Sequence, residues 1–220
     1  MTRIKICGIT LPDDAARAAA AGVDFIGLNF WPRSKRYVKP ERGPLLAAAA
    51  RGAGTPKVVG VFVDPDVDEV IEITKAVDLD IIQLHGDESP DTCKRISLAV
   101  YRPVWKAVPV SSVRDIEHLD AWPAEAMLLD APTPGRGGAG ARFDHMLARQ
   151  ARERHPRILV VLAGGLTPET VGAAIASVEP YAVDVASGVE AGPGIKDPAK
   201  LAAFVAAAKA AGSRPPGPAR

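Results

Sequence analysis

The chain has 220 residues, 47% of them hydrophobic, enough to bury a full core as one domain. Lysine and arginine number 27 against 26 acids, a net charge of +1, so nothing in the balance marks a nucleic-acid binder. The two cysteines, Cys7 and Cys93, make neither a metal-type pair nor a disulfide framework, and the expected compartment is a reducing cytoplasm. No charged leader with an apolar core and no run of membrane-spanning length is expected, so a membrane is not an expected partner.

Eight short apolar runs read as strands, at 3–7, 24–30, 57–63, 80–85, 102–108, 126–130, 157–162 and 182–186. Helical patterns follow them at 12–21, 41–51, 66–76, 90–98, 113–119, 143–154, 168–177 and 198–210. The first is bounded by Pro12 in its opening turn, by Asp13 and Asp14 at its positive end, and by Gly22 at its stop. Eight strands alternating with eight helices predict an α/β fold, a single (β/α)8 TIM barrel over 1–211, slightly shorter than the roughly 250 residues typical of it. An open doubly wound sheet is the competing architecture, and 212–220, rich in proline, reads as a disordered tail.

In the first strand Ile4 and Ile6 alternate with Arg3, Lys5 and Cys7, which puts the thiol and both cations on one face, with Gly8 turning the chain away. A thiol at the C-terminal end of a barrel strand stands where a ligand reaches it, and the Lys5 ammonium favours its thiolate. A buried, inert cysteine is the competing reading. Taking Cys7 and Asp130 as inward makes Lys5 and Leu128 inward as well. Asp184, between two helix-facing valines, then points inward too, and because strands one and eight are neighbours in a closed barrel, Lys5 and Asp184 are expected to form an ion pair.

The loop 29–38 carries three cations and three aromatics, a set that suits a planar anion or, equally, an ordinary solvated loop. His85, at the end of strand four, is either a proton carrier or a hydrogen-bonding wall residue, with the wall favoured. After Asp130, Gly135, Gly137 and Gly140 fit the dinucleotide spacing in letters only, because two prolines separate them from the strand. The loop 132–144 reads instead as a lid that excludes water. Gly164 and Gly165 after strand seven, and Ser187 and Gly188 after strand eight, each ahead of an expected helix, offer backbone donors for a phosphate.

These stretches together, K-I-C-G-I-T, F-W-P-R-S-K-R-Y-V, G-V-F-V-D, Q-L-H-G-D-E, L-L-D-A with G-G-A-G-x-x-F-D, A-G-G-L-T-P-E-T-V and V-D-V-A-S-G-V-E, resemble phosphoribosylanthranilate isomerase of tryptophan biosynthesis along nearly the whole chain. Ala163 and Ala186 depart from the serines frequent there. The resemblance implies an Amadori rearrangement of N-(5-phosphoribosyl)anthranilate, a small phosphosugar, with Asp130 as acid, Cys7 as base and Arg36 on the anthranilate carboxylate. It implies no metal and no cofactor. Two further readings are a related phosphosugar barrel of the indole-glycerol-phosphate synthase or aldolase type, for which Lys106 would be the strand-end lysine, and a noncatalytic phosphosugar-binding protein. Alanine-rich outer helices suit a monomer or a dimer.

Overall fold

The computed structural model describes residues 1–132 and 144–212. Eight parallel strands close into a barrel in sequence order: β1 (Arg3–Cys7), β2 (Phe25–Asn29), β3 (Lys57–Phe62), β4 (Ile81–Leu84), β5 (Val104–Pro109), β6 (Ala126–Asp130), β7 (Leu159–Leu162) and β8 (Ala182–Val185). Pairing of β8 with β1, Ile4 opposite Val183 and Lys5 opposite Asp184, closes the cylinder and leaves no sheet edge. An open sheet is thereby ruled out.

Each strand divides its side chains between two cores. Phe25, Val59, Ile81, Trp105, Ala107, Leu128 and Val161 fill the barrel interior, with Phe25 and Trp105 packed edge to face at 4.9 Å between ring centroids. The alternate residues, among them Ile4, Ile6, Ile26, Leu28, Leu84, Leu129 and Leu162, meet the outer helices. Those helices are α1 (Pro12–Ala20), α2 (Gly43–Ala53), α3 (Val67–Val77), α4 (Pro90–Val100), α5 (His145–Arg154), α6 (Val171–Val178) and α7 (Pro198–Gly212). Among the described residues no helix is long and apolar enough to cross a membrane.

The helix expected at 113–119 is absent. In its place stand two single 3-10 turns, Val113–Ile116 and Leu119–Ala121. The Asp115 carboxylate accepts bonds from the backbone and hydroxyl groups of both Ser111 and Ser112, which tightens the first turn. The two buried anchors, Ile116 and Leu119, are three residues apart, the 3-10 repeat, so no second helical turn is needed to bury them. Two smaller departures follow. α6 begins at Val171 rather than Pro168, behind a turn in which Thr170 Oγ1 accepts from Thr167 N. After β8 comes a 3-10 turn, Ser187–Val189, and then a small hairpin of β9 (Glu190–Gly192) and β10 (Ile195–Lys196), so no helix opens directly after Gly188. α7 runs through Gly212, one residue into the expected tail. The rest of that tail, and the lid segment with Gly135, Gly137 and Gly140, lie outside the described residues.

Candidate active site

Cys7 and Asp130 hold the last inward positions of β1 and β6, and Arg36, His85, Gly164, Gly165, Ser187 and Gly188 lie in loops behind strands, all at the C-terminal mouth of the barrel. Parity places Lys5 and Cys7 inward on β1, and Lys5 Nζ donates to Asp184 Oδ1 at 2.8 Å, the expected ion pair. A fully buried ammonium is tolerable only with such a partner. Gly27, opposite Cys7 on β2, makes the close packing possible: a Cβ there would lie 2.9 Å from Cys7 Sγ and 3.1 Å from Lys5 Nζ.

The electrostatics of the two titratable candidates differ. Burial pushes the Asp130 carboxyl up to about 6, against the opposing pull of the Ala131 N–H that it accepts at 2.8 Å. Burial also pushes the Cys7 thiol above its ordinary value, and the attraction of Lys5 and Lys196 for the thiolate offsets this only in part. Lys5 therefore favours the thiolate, as expected, but burial outweighs it and Cys7 is a thiol near neutral pH. Lys5 itself is held protonated: burial opposes its charge, and Asp184 with Cys7 outweighs that opposition.

His85 stands between the strands that carry these groups. Its Nε2 is 3.8 Å from Asp130 Oδ2, and its Nδ1 is 3.2 Å from Gln83 Nε2, a neighbour on the same inward face. The Gln83 amide thus holds Nδ1, and the ring turns Nε2 toward Asp130. The loop beneath His85 is pinned by Glu88, whose carboxylate accepts from the backbone of Gly86 and Asp64 and from Lys106 Nζ at 2.8 Å.

Lys106 thus faces the helices, between Glu88 and the ring of Trp122, with Trp105 and Ala107 taking the inward positions of β5. A strand-end lysine in the cavity, as a Schiff-base barrel would need, is not what Lys106 provides.

Arg36 lies over the turn after β1, where Gly8, at φ +72°, leaves room for its stem: a Cβ on Gly8 would be 2.3 Å from Arg36 Cδ. The guanidinium is held through Nε and Nη2 by the two oxygens of Glu190, at 2.8 and 2.7 Å. Glu190 also accepts from Lys196 Nζ at 2.9 Å and from Gly194 N at 3.2 Å, and the same Nζ donates to the Cys7 carbonyl at 2.6 Å. Sequence reading passed over Glu190 and Lys196. Glu190 closes the quoted stretch V-D-V-A-S-G-V-E, and its charge beside buried Val189 was the available signal.

The two glycine loops lie against each other. Gly164 and Gly165 have left-handed backbones, at φ +87° and +67°, and Gly188 touches the Leu166 carbonyl so closely that a Cβ would fall 1.9 Å from that oxygen. Backbone N–H groups of two neighbouring loops are gathered at one end of the barrel, a concave arrangement suited to an anion.

Residues 4–207 match the family described as N-(5'phosphoribosyl)anthranilate (PRA) isomerase. The chain belongs to that family. A relative of this name from Myxococcus xanthus is 42% identical over 207 residues, covering 94% of this chain and 96% of its own. The crystal structure of phosphoribosyl anthranilate isomerase from Thermotoga maritima superposes with a TM-score of 0.85 at 40% identity, covering 96% of this chain and all of its own. A further isomerase structure of the family, determined with reduced 1-(o-carboxyphenylamino)-1-deoxyribulose 5-phosphate, gives 0.81 at 36% identity, over 96% of this chain and all of its own.

Proposed function

We propose that Asp130 and Cys7 divide the proton transfers of the family's reaction, the Amadori rearrangement of N-(5'-phosphoribosyl)anthranilate to 1-(2-carboxyphenylamino)-1-deoxyribulose 5-phosphate in tryptophan biosynthesis. Asp130 donates its proton to the ribose ring oxygen, the C1–O bond breaks, and a cationic imine forms. Cys7, as thiolate, removes the C2 proton to give an enolamine, which tautomerises to the ketone. The observation that carries this reading is the pairing of a carboxyl that keeps its proton up to about pH 6 with a thiol beside a buried ammonium, both inward at the ends of β6 and β1. The imine's positive charge, formed in the same water-poor mouth, further favours the thiolate at the moment it is needed.

The remaining groups bind. Arg36 takes the anthranilate carboxylate; Gly164, Gly165, Ser187 and Gly188 take the phosphate through backbone donors; His85, its Nε2 turned toward Asp130, forms the wall between acid and substrate. Two free thiols, Cys7 and Cys93, suit a reducing compartment, and the reading is of a cytoplasmic enzyme whose partner is a small phosphosugar rather than nucleic acid.

The test is a coupled assay in which phosphoribosylanthranilate is generated in place and its fluorescence followed, with chelator present. Cys7→Ala and Asp130→Asn should each lower kcat by about 10²–10⁴-fold, the range for losing a general acid or base, while inorganic phosphate still binds. Near-normal turnover by either variant removes that residue from its role.

A further inference from the structure

Arg36 offers five N–H donors arranged along two usable edges, one formed by Nε with Nη2 and one by Nη1 with Nη2. Glu190 occupies the first edge completely, with one carboxylate oxygen on each nitrogen. Its own freedom is removed by Lys196 and by the Gly194 amide. Of the three charged side chains, Arg36 alone keeps appreciable exposure, 13% against 5% for Glu190 and 1% for Lys196, so a solute in the mouth meets the guanidinium and not its support.

We propose that Glu190 is the positioning residue of the aryl-carboxylate subsite: by holding Arg36 on its Nε edge it presents the Nη1/Nη2 edge, a preset fork, to the carboxylate of the substrate. The consequence is selectivity for a planar carboxylate that accepts two parallel bonds, with the ordering cost of a long cationic side chain met before the substrate arrives. Lys196 extends the arrangement, since the ammonium that fixes Glu190 also holds the Cys7 carbonyl, tying the carboxylate grip and the base to one rigid group. Glu190 does not compete for the ligand, because it binds the edge the ligand does not use.

This inference rests on the assignment of Arg36 to the carboxylate, and the experiment separates the two. Steady-state kinetics with phosphoribosylanthranilate, and inhibition by inorganic phosphate, are measured for the full chain, for Glu190→Gln, and for Glu190→Asp, which keeps the charge on Lys196 but is one methylene too short to reach both nitrogens. Each pair is repeated in an Arg36→Lys background. Both Glu190 variants should raise KM about tenfold, the equivalent of one charge-assisted hydrogen bond, with kcat changed far less and the phosphate inhibition constant unmoved. In Arg36→Lys the same changes should add almost nothing, since lysine has no edge to select. An unchanged or lowered KM, an equal rise in the lysine background, or a phosphate constant that moves in step with KM overturns the role of Glu190. Arg36→Lys that itself leaves KM untouched overturns the underlying assignment instead.

Discussion

Asp130 shows what a catalytic protonation state costs the fold. An unfolded aspartate loses its proton at about pH 4, whereas burial keeps this one protonated up to about 6. Between those values the folded state binds more protons than the unfolded one, so stability falls as pH rises through the window, and above it the full penalty of a shielded carboxylate is present. Asp130→Asn should therefore be more stable than wild type at pH 8, by on the order of 2–3 kcal/mol, and should show no gain at pH 3, where the wild-type carboxyl is protonated in the folded and unfolded states alike. Urea denaturation at the two pH values measures this. An equal gain at both would mean that packing, and not the charge, is responsible. The Lys5–Asp184 pair is the complementary case, a buried charge that became legible from parity alone: once Cys7 faces inward, so does Lys5, and the neighbouring strand must supply the anion. Glu190 was not legible in that way. Its bond to Arg36 joins residues 154 positions apart, from a loop to a three-residue strand, and no periodicity spans that separation.

At the scale of elements, all eight strands were readable because each is a short apolar run between turn residues, and inward and outward positions follow from the two-residue repeat. The stretch 113–119 was not. Its spacing of apolar residues fits both an α-helix and a 3-10 turn, and what tightens the turn is the Asp115 carboxylate gathering four donors from Ser111 and Ser112, a local side-chain arrangement that apolar spacing does not carry. Likewise β9 and β10, of three and two residues, are too short for any alternation to register. What they accomplish is the placement of Glu190 and Lys196 beside β1. The preceding turn has its own constraint at Gly188, packed on the Leu166 carbonyl. Gly188→Ala would force the β7 and β8 loops apart, since its Cβ would meet backbone that has no rotamer to yield. Phosphate inhibition and substrate KM should both weaken, with a stability loss of about 1–3 kcal/mol typical of overpacking. Gly192→Ala, on the adjacent hairpin with nothing within 4 Å of its Cβ, is the matched control and should change neither. Equal behaviour of the two variants would break the link between loop contact and phosphate binding.

Among the described residues, the barrel wall separates the Lys5–Asp184 pair from the Lys106–Glu88 pair, two buried charge pairs with different duties. Inside the mouth, Lys5 and Asp184 border the reacting groups; on the helix side, Lys106 and Glu88 fasten the ends of β3, β4 and β5 beneath His85. The same residue type on opposite faces of two strands therefore carries opposite functional meaning, which strand position decides and composition does not. Removing Lys106 alone should be severe, about 3–5 kcal/mol, because Glu88 would be left charged in a dry environment. Lys106→Met combined with Glu88→Gln removes both charges while glutamine's oxygen still accepts from the Gly86 or Asp64 amide, so most of the stability should return. Isomerase activity of the double variant, assayed at a temperature where it is folded by circular dichroism, should remain close to wild type, since Lys106 and Glu88 face the helices and not the cavity. Loss of turnover in a folded double variant would give Lys106 a part in the chemistry and reopen the Schiff-base reading. Retained turnover would confine it to holding the loop, so that the reacting protons of this barrel are handled wholly from its inner face.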